Sequence, residues 1–137
     1  MIMFKKLSHV GVAVQDLKSA TKLFSKLFQI DPVKTETVVD QKIKLAFFIV
    51  GDTSIELTEA TSPDSPIAKF IEKHGDGVHH LAFEVVDINA ELTRLEKEGF
   101  QLIDEHPRLG ADGYLIAFLH PKSTNGVLIE LSQRVKT

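Results

Sequence analysis

The chain resembles itself at half its length, and that repeat limits how it can fold more than any other feature. Ser8-His9-Val10-Gly11-Val12-Ala13-Val14-Gln15-Asp16-Leu17 aligns with His79-His80-Leu81-Ala82-Phe83-Glu84-Val85-Val86-Asp87-Ile88. Each segment has a histidine, an apolar-rich strand, then an aspartate followed by an apolar residue. At the same offset of 71 residues, Ala46-Phe47 meets Ala117-Phe118. A loop three residues longer in the second copy brings Ile55-Glu56-Leu57 opposite Ile129-Glu130-Leu131. Two copies of one module account for these coincidences, because similarity at a fixed period marks repeated supersecondary units.

Each copy reads as βαβββ. The run His9 to Val14 is apolar and β-branched, as strands are. Asp16 suits the N-cap of a helix to about Phe28, with Leu17, Ala20, Phe24, Leu27 and Phe28 expected on its buried face. Strands are expected at 33–39, Lys42–Val50 and Thr53–Thr58, with Gly51-Asp52 turning between the last two. In the second copy the strand runs from His80 to Val86. The helix from Asp87 carries Ile88, Leu92 and Leu95 inward and stops near Gly99. Strands follow at Gln101–Asp104, Tyr114–Leu119 and Val127–Ser132. Between the copies, Ser65 and Pro66 suit the N-cap and first position of a short helix with Ile67, Phe70 and Ile71 on its inner side. The expectation is one α+β domain over residues 1–137, with module one at about 5–60, a linker helix at about 61–77 and module two at about 78–134.

In both copies the same two positions carry ligand-type residues. A histidine opens the first strand (His9, His80) and a glutamate sits inside the last (Glu56, Glu130). Strand alternation turns Glu56 away from Ile55 and Leu57, and Glu130 away from Ile129 and Leu131. A carboxylate on a core-like strand is costly to bury unless it is paired or bound to a cation. Two imidazoles and two carboxylates, related by duplication, suit one borderline divalent metal, and Co, Mn, Ni and Zn would all accept them. Cysteine is absent, which removes thiolate ligands, thiol nucleophiles and disulfides together. The other histidines lack the repeated pattern. His79 points opposite to His80, His74 and His106 fall in loops, and His120 ends a strand where it could orient a ligand or shuttle a proton.

The hydrophobic share of 43%, charged share of 26% and net charge of −3 describe an ordinary folded chain. They carry no electrostatic footprint for nucleic acid or an anionic membrane. The N-terminus reads as neither signal peptide nor membrane span, so a cytoplasmic protein is expected.

At these residues the chain resembles the vicinal oxygen chelate superfamily (glyoxalase, bleomycin resistance and dioxygenase proteins), whose members pair βαβββ modules into a cup around one metal. More narrowly it resembles the methylmalonyl-CoA epimerase family. The resemblance is carried by the segments 9–14, 65–70, 77–83 and 107–111, and most of all by Ala117-Phe118-Leu119-His120-Pro121-Lys122 followed by Gly126-Val127-Leu128-Ile129-Glu130-Leu131. It implies reversible inversion at C2 of methylmalonyl-CoA, with one divalent ion held by His9, Glu56, His80 and Glu130. That ion would chelate the thioester and carboxylate oxygens and stabilise an enolate. Two acid/base groups would then work on opposite faces. Glu130 matches the family's metal-bound catalytic glutamate. Some members carry a second one on the strand near Lys44-Leu45, where this chain has no carboxylate, and Glu56 is expected to take that role. Lys122 and Arg108 are candidates for the CoA phosphates, and a homodimer is implied. Glyoxalase I (lactoylglutathione lyase), a ring-cleaving dioxygenase and a non-enzymatic binding protein of the same fold are the alternatives.

Overall fold

The computed structural model describes residues 3–135. Its elements follow the order β1 (Phe4–Ala13), α1 (Leu17–Phe28), β2 (Lys34–Val38), β3 (Ile43–Val50), β4 (Thr53–Ala60), α2 (Pro66–His74), β5 (Gly77–Val85), α3 (Ile88–Lys97), β6 (Arg108–Leu109), β7 (Tyr114–Leu119) and β8 (Ile129–Arg134). This is βαβββ twice with a helix between, the α+β architecture that the repeat predicts. The chain divides into two compact units. One is His9–His79; the other joins the residues before His9 to those from His80 onward. The division therefore cuts through β1 and β5, not through the linker. Among the described residues, no helix is long and apolar enough to cross a membrane.

In the first unit the strands lie in the order β2-β3-β4-β1. β2, β3 and β4 are antiparallel neighbours, and His9–Ala13 of β1 runs parallel to Ser54–Thr58 of β4. Asp16 caps α1 by accepting from the Ser19 N–H at 3.2 Å, and Glu59 accepts from the Leu17 N–H at 2.7 Å. Two of the four donors that a helix start leaves open are thereby satisfied. One face of the strands packs on α1, in a core of Val14, Leu17, Ala46, Phe48 and Leu57 with Ala20, Phe24 and Phe28 against it. The Phe28 and Phe48 rings meet edge-on at 5.6 Å. Leu27 departs from expectation: it is 66% exposed. With 3.6 residues per turn, the stripe through Leu17, Ala20, Phe24 and Phe28 leaves Leu27 on its flank, beyond reach of the sheet. In α2, Ser65 accepts from the Ile67 N–H at 3.2 Å, and Gly75 ends the helix at φ 76°.

In the second unit β5 and β8 are parallel, and β8, β7 and β6 antiparallel. The start of β1 belongs here. Lys5 pairs with Glu84 at 2.9 Å, Phe4 stacks at 5.7 Å on Phe83, and the Val86 N–H donates to the Met3 carbonyl at 3.0 Å. β1 thus starts at Phe4, five residues before the apolar run that announced it. α3 buries Ile88, Leu92 and Leu95 against Val85, Ala117, Leu119 and Leu131. The expected strand at Gln101–Asp104 is replaced by one bridge, Leu102 to Leu119. Both Ile103 and Asp104 donate backbone N–H groups to the single Phe118 carbonyl, at 2.9 and 3.3 Å, which breaks the ladder. The edge strand is instead the two-residue β6, after Pro107.

Candidate metal-binding and catalytic site

Strand register fixes which side chains share a face. In the first unit Glu56 has Phe47 across the antiparallel ladder and Gly11 across the parallel one. Directly paired residues point the same way, as do residues two apart on a strand. Phe47, Glu56 and His9, two before Gly11, therefore look away from α1, while Ala46, Phe48 and Leu57 look towards it. The Nδ1 of His9 lies 3.0 Å from Oε2 of Glu56, both side chains 11% exposed.

The second unit repeats this arrangement. Glu130 has Phe118 across the antiparallel ladder and Ala82 across the parallel one. His80, two before Ala82, faces the same way, and its Nε2 is 3.2 Å from Oε1 of Glu130. The halves differ in which imidazole nitrogen makes the contact. The Phe118 ring meets His80 edge-on at 5.7 Å and 82°. Each aromatic also carries a cation: Arg108 lies 5.8 Å from the Phe118 centroid, and Lys34 lies 5.9 Å from that of Phe47. The repeat of Ala46-Phe47 and Ala117-Phe118 held the signal for these rings, but an apolar dipeptide reads as core. Lys34 gave no sequence signal at all.

Among the described residues, every buried side-chain nitrogen and oxygen has a hydrogen-bond partner. The glutamates satisfy theirs in part with the imidazoles. Each pair offers one imidazole nitrogen and one carboxylate oxygen, the donor chemistry of a borderline divalent ion, so the residues fit such a metal.

The remaining candidates lie as follows. Arg108 donates through Nε to Asp104 Oδ1 at 3.3 Å, while Asp104 Oδ2 accepts from the Phe118 N–H at 2.8 Å. His120 accepts from the Lys122 N–H through Nδ1 at 3.1 Å, and so caps the tight turn Pro121–Ser123. Lys122 is exposed on that turn. His79 stacks edge-on against Phe70 at 5.0 Å. His74 closes α2 rather than lying in a loop, 4.8 Å from the same ring. His106 is exposed in the irregular segment before β6.

A sequence profile of the glyoxalase/bleomycin resistance protein/dioxygenase superfamily matches residues 8–118. An uncharacterised Bacillus subtilis protein, YqjC, is 41% identical, with 93% of this chain aligned to 91% of that one. The mitochondrial methylmalonyl-CoA epimerase of Dictyostelium discoideum is 36% identical, over 94% of this chain and 78% of its own length. A solved variant of Streptomyces coelicolor methylmalonyl-CoA epimerase, in complex with 2-nitronate-propionyl-CoA, superposes with a TM-score of 0.92 at 31% identity over 96% of each chain. The duplicated His–Glu strands and these similarities agree, and the chain belongs to the glyoxalase/bleomycin resistance protein/dioxygenase superfamily and, within it, to the methylmalonyl-CoA epimerase family.

Proposed function

We propose that this protein interconverts the two C2 epimers of methylmalonyl-CoA, with His9, Glu56, His80 and Glu130 holding one divalent ion. The observation that carries the reading is the repeated pairing of a near-buried imidazole with a near-buried glutamate, on the strand face turned away from α1 in one unit and from α3 in the other. His9, His80 and Glu130 each offer the imidazole or carboxylate donor that such an ion takes. The relatives named above support the substrate. When bound, the ion would supply positive charge beside the oxygens on which negative charge develops as C2 is deprotonated.

The chain's own residues do the proton work. Inversion needs a proton taken from one face of C2 and returned to the other, hence two groups that both accept and donate. Glu130 serves one face and Glu56 the other. Before an ion enters, the contacts of His9 and His80 at 3.0 and 3.2 Å hold the two carboxylates in place. The apolar rings of Phe47 and Phe118, opposite the two glutamates, keep water from them.

Solvent deuterium incorporation at C2 of methylmalonyl-CoA, followed by mass spectrometry with and without a chelator, tests this. Incorporation that the chelator abolishes is expected. A metal-loaded sample that exchanges no deuterium would overturn the reading.

A further inference from the structure

We propose that Arg108 binds the free carboxylate of the acyl group, so that the protein selects 2-carboxyacyl thioesters over simple acyl thioesters. The inference rests on the epimerase reading above and goes beyond it by naming what chooses the substrate.

The register places the guanidinium. Arg108 pairs with Ile116 in β7, Phe118 lies two residues further along, and Phe118 pairs with Glu130 in β8. All four side chains therefore share the face from which His80 projects. The guanidinium lies 5.8 Å over the Phe118 ring, whose other neighbour is His80. A flat cation on an aromatic face is held in position without giving up its hydrogen-bond donors.

Those donors are available. Arginine has five N–H groups, and here one, on Nε, is engaged by Asp104. Among the described residues this guanidinium makes no other hydrogen bond. Asp104 is a positioning residue, because its second oxygen takes the Phe118 N–H and ties the fork to the strand that carries the ring. Lys34, the counterpart over Phe47, meets the Glu36 carboxylate at 3.3 Å. The fork of Arg108 is thus the cation built for a ligand. Its parallel Nη donors match a carboxylate in a bidentate contact. Deprotonating C2 puts a second negative charge beside that carboxylate, and a fixed cation offsets the repulsion.

Malonyl-CoA and propionyl-CoA differ by one carboxylate, so calorimetric titration with each isolates this contact. The wild type is expected to bind malonyl-CoA at least tenfold more tightly than propionyl-CoA. R108Q should lose about tenfold of that preference and leave propionyl-CoA affinity unchanged, while R108K, which keeps the charge, should retain part of it. An unchanged melting temperature shows that R108Q is folded. Equal weakening of both ligands, the result for a contact to the CoA phosphates, overturns the proposal, as does an unaltered preference in R108Q. The readout is binding, so a failure of C2 exchange with the preference intact would overturn the epimerase reading alone.

Discussion

The Nδ1 of His9 and the Oε2 of Glu56 stand 3.0 Å apart in side chains that are each 11% exposed. A metal entering there would replace this contact with two coordination bonds and would bind the folded chain alone. Ligands that bind only the native state stabilise it by mass action, about 2.7 kcal/mol at a hundredfold excess over Kd. For a domain of this size that corresponds to a rise on the order of 8 °C in Tm. Added Co2+ or Mn2+ is expected to raise the melting temperature by that much in the wild type. His9→Ala or His80→Ala should lose most of the rise. Equal shifts in the wild type and both variants would place the ion elsewhere.

Glu56 and Glu130 are expected to separate when a single epimer is the substrate. With Glu130→Gln, the epimer whose C2 proton faces position 130 should exchange about 10² to 10⁴ times more slowly, the range that a positioned acid or base supplies. With Glu56→Gln that same epimer should still take up deuterium but no longer invert, because no group is left to return a proton on the far side. Chiral analysis of the labelled product reads both quantities at once. Full inversion by Glu56→Gln, with metal bound, would remove Glu56 from the reaction.

How much of this was legible beforehand depends on whether the signal was local. The pairings of His9 with Glu56 and His80 with Glu130 follow from strand alternation and duplication, both visible in the residues themselves. The start of β1 was not, because Phe4-Lys5-Lys6 reads as a polar lead-in. It becomes strand only because Glu84 and Phe83, far along the chain, supply partners. The edge near Asp104 failed for a similar reason. Gln101–Asp104 has strand composition, yet Asp104 spends its side chain on the Phe118 N–H, and the ladder passes to Arg108. Arg108 gives the same lesson for the site. Its type was visible, but the ring beneath it and the aspartate that aims it are tertiary.

Asp64 offers a pH test away from the site. The Lys42 ammonium, then the Ser62 hydroxyl, hydrogen-bond its carboxylate and lower its pKa from 3.8 to about 2. A depressed carboxylate contributes stability that is present above its unfolded value and lost as pH falls through the folded one. The loss here falls between about pH 4 and 2. Both partners are exposed, so the contribution is small. Carbon-13 NMR of the Asp64 carboxyl should give a midpoint near 2, and Lys42→Met should move it back towards 3.8. A midpoint unmoved by Lys42→Met would show that the ammonium is not the cause.

Gly110 connects the fold to the proposed selectivity. A Cβ there would meet Cδ1 and Cγ2 of Ile116 at 2.8 and 2.9 Å. Ile116 is 4% exposed and has little room to retreat. The Gly110 N–H also donates to the Tyr114 carbonyl at 2.8 Å, so the two strands cannot part without losing that bond. Gly110→Ala is expected to cost about 1–3 kcal/mol, the usual range for overpacking a filled interior. It should also displace β6 and with it Arg108, weakening malonyl-CoA more than propionyl-CoA. Ile116→Ala removes the obstructing atoms. The double variant should therefore be more stable than the two single losses combined would give, by more than about 0.5 kcal/mol. Urea denaturation of the four proteins measures this coupling, and strict additivity would mean that the close approach of Gly110 to Ile116 does not hold the edge strand in place.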